Sequence, residues 1–337
     1  MSATQTNTLN REVYYRLIAL WVLCEAMLGG IIHGFKIPVS GLIVGSCSVI
    51  CIGLIAYYFP AKGNIIKATI VVAIFKMMLS PQAPPAAYIA VFFQGVVGEL
   101  VFFNRRFFKL SCLLLALLSL AESAVQRIAV LTLVYGTDLW KAIDDLINKL
   151  THEKQTVSYS IIFISVYIAI HLIVGLLIGI WLGLLPKKIA GWQTVYPVFK
   201  IEKAEESVTP NKVRRKKNIK TGILIVWSFL LIIYLQSVLK FGKPILPSHI
   251  SLQIFIRSVL IILTWYLLLS PLLMQLLKNW LEKKKQRNQT TLTEILDLLP
   301  IMKQIIFRSW SLTENKKGLK RIFIFIRVVL INTLSPQ

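Results

Sequence analysis

The side chains that could do chemistry in this chain are ionisable residues placed inside long apolar stretches. Six of them lie in the first 186 residues, at Glu25, Lys76, Glu99, Glu122, Arg127 and His171. A charge at the centre of a membrane helix costs at least ~2.5 kcal/mol on insertion scales, so it usually faces a protein interior or a water-filled cavity. These residues therefore predict a polar interior in the front half of the chain. The two clear apolar stretches beyond residue 220 have almost none near their middles.

Composition places these stretches in a membrane. The chain has 337 residues, of which 56% are hydrophobic, and a mean hydropathy of +0.68. That is too apolar for a soluble domain of this length. About 20 helical residues cross a bilayer core of ~30 Å, and backbone groups in lipid must bond within their own segment. We therefore expect an all-α, polytopic integral membrane helix bundle with about eight transmembrane helices, in a cytoplasmic (inner) membrane.

The apolar stretches give the positions of the expected spans, which are 14–33, 37–59, 65–80, 84–103, 108–135, 158–185, 221–241 and 249–277. Residues 138–154 have the spacing of an amphipathic surface helix. Lys and Arg are concentrated in alternate loops, which places both the N- and the C-terminus in the cytoplasm. The same bias accounts for most of the net charge of +23, so we predict contact with membrane lipids and no nucleic acid partner.

The spans group into four regions. Residues 1–186 form a six-helix membrane module with a polar interior, and residues 187–220 form a basic cytoplasmic linker. Residues 221–287 form a two-helix membrane hairpin, and residues 288–337 form cytoplasmic amphipathic helices. Within the last region, 319–334 is too short to be a ninth full span and carries Arg327 in its middle, so we expect it to lie at the interface or pack on the rest.

The depth of the polar residues along the spans predicts a solute pocket that opens to the outside. We expect the substrate-binding residues to be Glu25, His33, Lys76, Gln82, Tyr88, Gln94, Glu122, Arg127 and His171. Mixed signs in one pocket suit a small polar or zwitterionic solute. They suit internal ion pairs equally, most simply Lys76 with Glu25 or Arg127 with Glu122.

Several chemistries have no motif in the chain. There is no P-loop, no H-E-x-x-H and no G-x-S-x-G sequence, so we predict no catalytic residue and no ATP hydrolysis by this chain itself. The four cysteines lie in apolar stretches and suit packing better than metal binding, so no metal site and no cofactor are expected.

Small residues at four-residue spacing predict close helix packing. Gly175, Gly179 and Gly183 follow His171 at this spacing, and a face of small side chains lets a neighbouring helix approach closely in lipid. Ala26, Gly30 and Gly34 repeat the pattern in the first span.

The layout of residues 10–186 resembles the S component of energy-coupling factor (ECF) importers. The segment KATIVVAIFKMMLSPQAPPAAYIAVFFQGVVGELVFF, residues 67–103, carries the comparison, together with six helices that have both ends inside. Its small-residue motif in the first helix would map to Ala26 and Gly30. The C-terminal helices, with Arg308 in IIFRSWSL, are similar to the coupling helices of the T component of that family.

The resemblance implies an importer component for a small solute of the vitamin or metal-ion class. A separate ATP-binding subunit would then supply the energy, with Arg308 and Arg321 as partner-coupling residues. Two other classes stay open. One is a membrane enzyme acting on a lipid substrate, with Glu99, Arg105 and Arg106 at headgroup level. The other is a non-transporting scaffold or assembly protein whose basic segments 187–220 and 278–287 bind partners.

Overall fold

The computed structural model describes residues 3–30, 40–80, 83–151, 158–196, 198–199, 248–265 and 269–335. In these ranges the chain is helical and contains no β-strand, which confirms the all-α prediction. The α-helices are α1 Ala3–Val22, α2 Ser40–Tyr58, α3 Asn64–Leu79, α4 Pro85–Val101, α5 Phe108–Tyr135, α6 Asp138–Thr151, α7 Tyr159–Gln193, α8 Ser248–Thr264, α9 Ser270–Arg287, α10 Gln289–Leu312 and α11 Gly318–Leu334. A π-helical turn, Leu23–Leu28, continues α1.

Local sequence explains several of these helix ends. Gly63 precedes α3 with a left-handed backbone (φ 82°), a conformation that costs glycine little because it has no Cβ. Pro85 is the first residue of α4, where its missing N–H removes no helical hydrogen bond. The chain therefore enters α3 and α4 at residues suited to those positions.

Within the described residues, three helices are long and apolar enough to cross a membrane. They are Ser40–Tyr58, Phe108–Tyr135 and Tyr159–Ile189, and two shorter apolar helices are Pro85–Val101 and Ile254–Thr264. These three helices are the mark of a membrane protein. The described part of the expected span 249–277 is divided between α8 and α9, and α9 continues to Arg287. The expected span 221–241 lies outside the described residues.

The chain divides into two compact units. The first comprises Met1–Ser123, His171–Val208 and Met274–Gln337, and the second comprises Ala124–Ile170 and Thr209–Leu273. These boundaries cut the chain at other places than 186 and 220, and the four predicted regions stay predictions.

The first unit has one apolar core, in which Trp21, Phe75 and Leu115 are among the largest fully buried side chains. Helix α1 packs against α2 and α3 and also against α10 and α11. The last seven residues of α11, Val328–Leu334, are buried.

A buried arginine fixes the end of α11 to α1. The Arg16 side chain is only 1% exposed and donates hydrogen bonds to the Ser335 carbonyl (2.6 Å) and to the Glu12 carboxylate (2.6 Å). Ser335 follows the last turn of α11, where a cation complements the negative end of the helix dipole.

The second unit contains α6 and α8, which pack together. The carboxylate of Asp144 on α6 accepts hydrogen bonds from the backbone N–H (2.6 Å) and the hydroxyl (2.9 Å) of Ser160. Ser160 is in the first turn of α7, where backbone N–H groups have no partner within the helix. An acidic residue of the amphipathic helix thus caps the next helix.

Candidate functional site

The strongest candidate site is an ion pair in the first unit. Glu25 lies on the π turn after α1, and Lys76 lies in the last turn of α3. Their carboxylate and ammonium are 2.7 Å apart, and the two side chains are 4% and 7% exposed. Burial removes the pair from solvent, so each charge depends on the other and on nearby hydrogen bonds for its stabilisation.

Neighbouring helices supply those hydrogen bonds. The Ser48 hydroxyl on α2 donates to Glu25 Oε1 at 2.6 Å, and Lys76 Nζ donates to the Ala87 carbonyl on α4 at 3.0 Å. The Tyr88 ring centroid is 5.9 Å from Lys76 Nζ. We call Glu25, Ser48, Lys76, Ala87 and Tyr88 the charged cluster.

The π turn decides where the Glu25 side chain points. A π turn holds one more residue per hydrogen-bonded loop than an α-helix, and such turns are frequent at functional sites. Because one α-helical residue turns the chain by about 100°, the inserted residue rotates everything after it relative to α1. The carboxylate reaches Lys76 and Ser48 from this rotated position.

The charged cluster contains a hydroxyl with unused hydrogen-bonding capacity. Tyr88 is 1% exposed, and its hydroxyl has no hydrogen-bond partner among the described residues. In the same part of the chain, Oε1 of the buried Gln94 also has none. Leaving such a buried polar group unsatisfied typically costs about 1–3 kcal/mol, so each calls for a partner such as water or a ligand.

The other predicted pocket residues lie elsewhere or outside the described ranges. His33 and Gln82 are outside the described residues, as is Gly34. Glu122 lies on α5, and its Oε2 is buried with no hydrogen-bond partner in the described structure. Arg127 is exposed in the second unit, near enough to Tyr167 to interact electrostatically, and His171 is buried on α7. The structure thus brings Glu25, Lys76 and Tyr88 together. Glu122, Arg127 and His171 are not part of the charged cluster.

Glu99 has a structural role that the sequence did not reveal. Its carboxylate accepts hydrogen bonds from the backbone N–H groups of Gly63 (2.5 Å) and Ile66 (3.4 Å). These groups belong to the start of α3, where a negative charge complements the helix dipole. In the sequence, Gly63 before an apolar stretch indicates where a helix begins. The acceptor for its N–H group comes from another helix, and the sequence does not show that contact.

The glycines of α7 pack against the backbone of α5. A Cβ built on Gly175 would lie 3.2 Å from the Ala116 carbonyl oxygen, and one on Gly179 would lie 2.7 Å from the Leu113 Cα. One on Gly183 would lie 3.2 Å from the Lys109 Cα. We call this contact the glycine seam. In the π turn after α1, Ala26 is buried, while a Cβ on Gly30, two residues beyond the turn, would meet nothing within 4 Å in the described structure.

The two predicted coupling residues have different surroundings. Arg308 is exposed on α10. The Arg321 guanidinium on α11 lies 4.0 Å from the centroid of the Trp310 ring, a stacked arrangement that ties α11 to α10. Arg16, which binds the end of α11, was not among the predicted residues.

No group of three or more His, Cys, Asp or Glu side chains within the described ranges could hold a metal ion. The charged cluster therefore offers one buried cation, one buried anion and a neighbouring tyrosine ring. No protein-family model matches this chain, and neither does any curated protein or any solved structure.

Proposed function

We propose that this protein is the integral membrane component of an importer for small polar solutes, and that the charged cluster is its solute site. The observation that carries the proposal is the buried Glu25–Lys76 ion pair with the Tyr88 ring centroid 5.9 Å from Lys76 Nζ, because the Tyr88 hydroxyl has no hydrogen-bond partner among the described residues. An ionisable residue within the membrane is a functional-site hypothesis by default, because it is costly to keep there. A buried hydroxyl with no partner among the described residues adds to that cost.

The proposal extends to the topology. Eight membrane spans with both termini in the cytoplasm would open the predicted pocket to the outside, and the three apolar helices support at least part of this count. Cysteine-accessibility labelling tests the orientation. Reagents applied from outside should reach residues 80–85 and not residues 212–217, and the opposite pattern would contradict the topology.

The proposal also assigns a role to the C-terminal helices. Energy would come from a separate ATP-binding subunit that contacts α10 and α11, as the resemblance to ECF importers implies. The contacts of α1 support this route, since α1 packs against both helices and leads directly into the π turn that carries Glu25. A displacement of α10 and α11 would thus reach the charged cluster through a single helix.

The test is the effect of Tyr88→Phe on ligand binding by the full chain in lipid nanodiscs. The thermal midpoint is measured against a panel of vitamins, amino acids, sugars and divalent metal ions. A ligand present at 100 times its Kd stabilises the folded state by about 2.7 kcal/mol. We expect at least one solute to stabilise the parent protein and to lose most of that effect in Tyr88→Phe.

Tyr57→Phe is the matched control, because Tyr57 is exposed and lies outside the charged cluster. It should bind the solute as the parent protein does. The proposal is wrong if no solute in the panel stabilises the parent protein. In that case a scaffold in which Glu25 and Lys76 only join helices would be the better description.

A further inference from the structure

We infer that the solute is a zwitterion of the amino-acid type and that it binds by exchanging partners with the Glu25–Lys76 ion pair. Its carboxylate binds Lys76, and its ammonium binds Glu25. This inference rests on the proposed function and names the substrate class of the same site.

The burial of the pair restricts which solutes can enter. Both side chains are at most 7% exposed, so a solute that inserts between them meets little water that could take over the lost interaction. A neutral solute would leave two buried charges without a counter-ion, and a singly charged solute would leave one. Stranding one partner of a buried pair is strongly unfavourable. A zwitterion supplies a counter-ion to both.

The hydrogen bonds can be accounted for in the exchanged state. The solute ammonium takes the place of Lys76 at Glu25 Oε2, while Ser48 continues to donate to Oε1. The solute carboxylate takes the place of Glu25 at Lys76, which keeps its bond to the Ala87 carbonyl. A carboxylate has about four acceptor positions, so it can also accept from the Tyr88 hydroxyl. One ion pair becomes two, and the Tyr88 hydroxyl, which has no partner among the described residues, gains an acceptor.

The π turn provides the movement that separates the pair. Glu25 lies within Leu23–Leu28, so rewinding this turn to an α-helix would rotate the residues that follow by about 100° about the helix axis. Gly29 and Gly30 follow directly, and a Cβ on Gly30 would meet nothing within 4 Å in the described structure. A local change in this turn can therefore move the carboxylate without moving α3.

The experiment compares three charge forms of each probe. The probes are the twenty common amino acids, their amides, which lack the carboxylate, and their N-acetyl derivatives, which lack the ammonium. Affinity is measured from thermal midpoints of the full chain in nanodiscs. We expect at least one amino acid to bind, with its amide and its N-acetyl derivative each about 100-fold weaker or more, as stranding a single charge implies.

Charge variants then assign each end of the solute. Lys76→Met should abolish the preference of the protein for the amino acid over its amide. Glu25→Gln should abolish the preference over the N-acetyl form. If either variant fails to fold, the exchanged pair Glu25→Lys with Lys76→Glu keeps both charges and should still prefer the amino acid over both derivatives.

The outcomes separate the inference from the proposed function. If an amide or an N-acetyl form binds as tightly as its amino acid, partner exchange is wrong while the solute site stands. If only an uncharged compound or a metal ion of the wider panel binds, the solute is not a zwitterion. The proposed function, import of a small polar solute, then still stands. If no compound stabilises the protein, the zwitterion inference and the proposed function are both wrong.

Discussion

The glycine seam and the charged cluster both join helices, but they do so in opposite ways. In the glycine seam, α7 approaches α5 so closely that a Cβ on Gly179 would lie 2.7 Å from the Leu113 Cα. In the charged cluster, residues from α2, α3, α4 and the π turn meet through an ion pair and two hydrogen bonds to it.

The glycine seam shows that close packing in this protein does not require charge. Helices α5 and α7 pack through small residues, which allow dispersion contacts and need no desolvation of an ion. Replacing a buried ion pair by apolar residues of similar volume is often neutral or stabilising. The charges of the cluster therefore bring a cost that packing alone does not explain, and this supports a solute role.

The glycine seam should show the largest effect of a single substitution. Gly179→Leu places a side chain where the backbone of α5 already lies and cannot give way, so we expect a loss of more than about 5 kcal/mol, above the usual range for overpacking, and little folded protein. The measurement is the yield of monodisperse protein and its thermal midpoint. Gly191→Leu is the control on the same helix, because a Cβ there meets no described atom within 4 Å. Similar yields and thermal midpoints for the two variants would show that Gly179 is not in close contact with the backbone of α5.

The ion pair comes next. Lys76→Met leaves the Glu25 carboxylate buried without its counter-ion, and we expect a loss of about 3–5 kcal/mol. The double variant with Glu25→Gln should recover much of it, since no charge is then stranded, and a double-mutant cycle in thermal unfolding measures the coupling. Lys67→Met on the exposed face of α3 is the control and should be nearly neutral. Additive losses from the two single changes would mean that the pair is not formed.

The hydrogen bond to Glu25 gives a smaller effect. Ser48→Ala removes a donor to a charged acceptor, which is worth about 1.5–3 kcal/mol. Ser46→Ala on the same helix removes only a bond from its hydroxyl to the Leu42 carbonyl and should cost about 1 kcal/mol or less. The ratio of the two losses, from chemical denaturation, reports the charge on the acceptor. Equal losses would indicate that the Glu25 carboxylate does not accept from Ser48.

Tyr88→Phe should have the smallest effect on stability. Its hydroxyl has no partner in the described structure, so its removal should change the free energy of unfolding by less than about 0.5 kcal/mol or stabilise the protein. The thermal midpoint without ligand measures this. A loss above about 1 kcal/mol would show that the hydroxyl already has a structural partner, and the cluster would then resemble the glycine seam as a packing device.

Helices that depend on local sequence pattern begin and end close to the residues that the sequence predicts. The amphipathic helix expected at 138–154 is Asp138–Thr151, and the first of the amphipathic helices expected within 288–337 is Gln289–Leu312. Both follow from a 3.6-residue apolar period, which each segment carries by itself. The described residues of the expected span 249–277 lie in α8 and α9, and α9 continues through charged residues to Arg287, an end that apolar length alone does not show.

It follows from the sequence alone that this chain is helical, that it is apolar enough for a membrane, and that small residues share one face of α7. These properties depend on composition and on spacing along one helix. Which charges meet depends on the tertiary structure. It joined Glu25 to Lys76, 51 positions apart, brought Glu99 to the start of α3, and placed Arg16 at the end of α11. The physical reason is that a contact between helices depends on their relative depth and rotation, and one inserted residue in a π turn changes that rotation by about 100°.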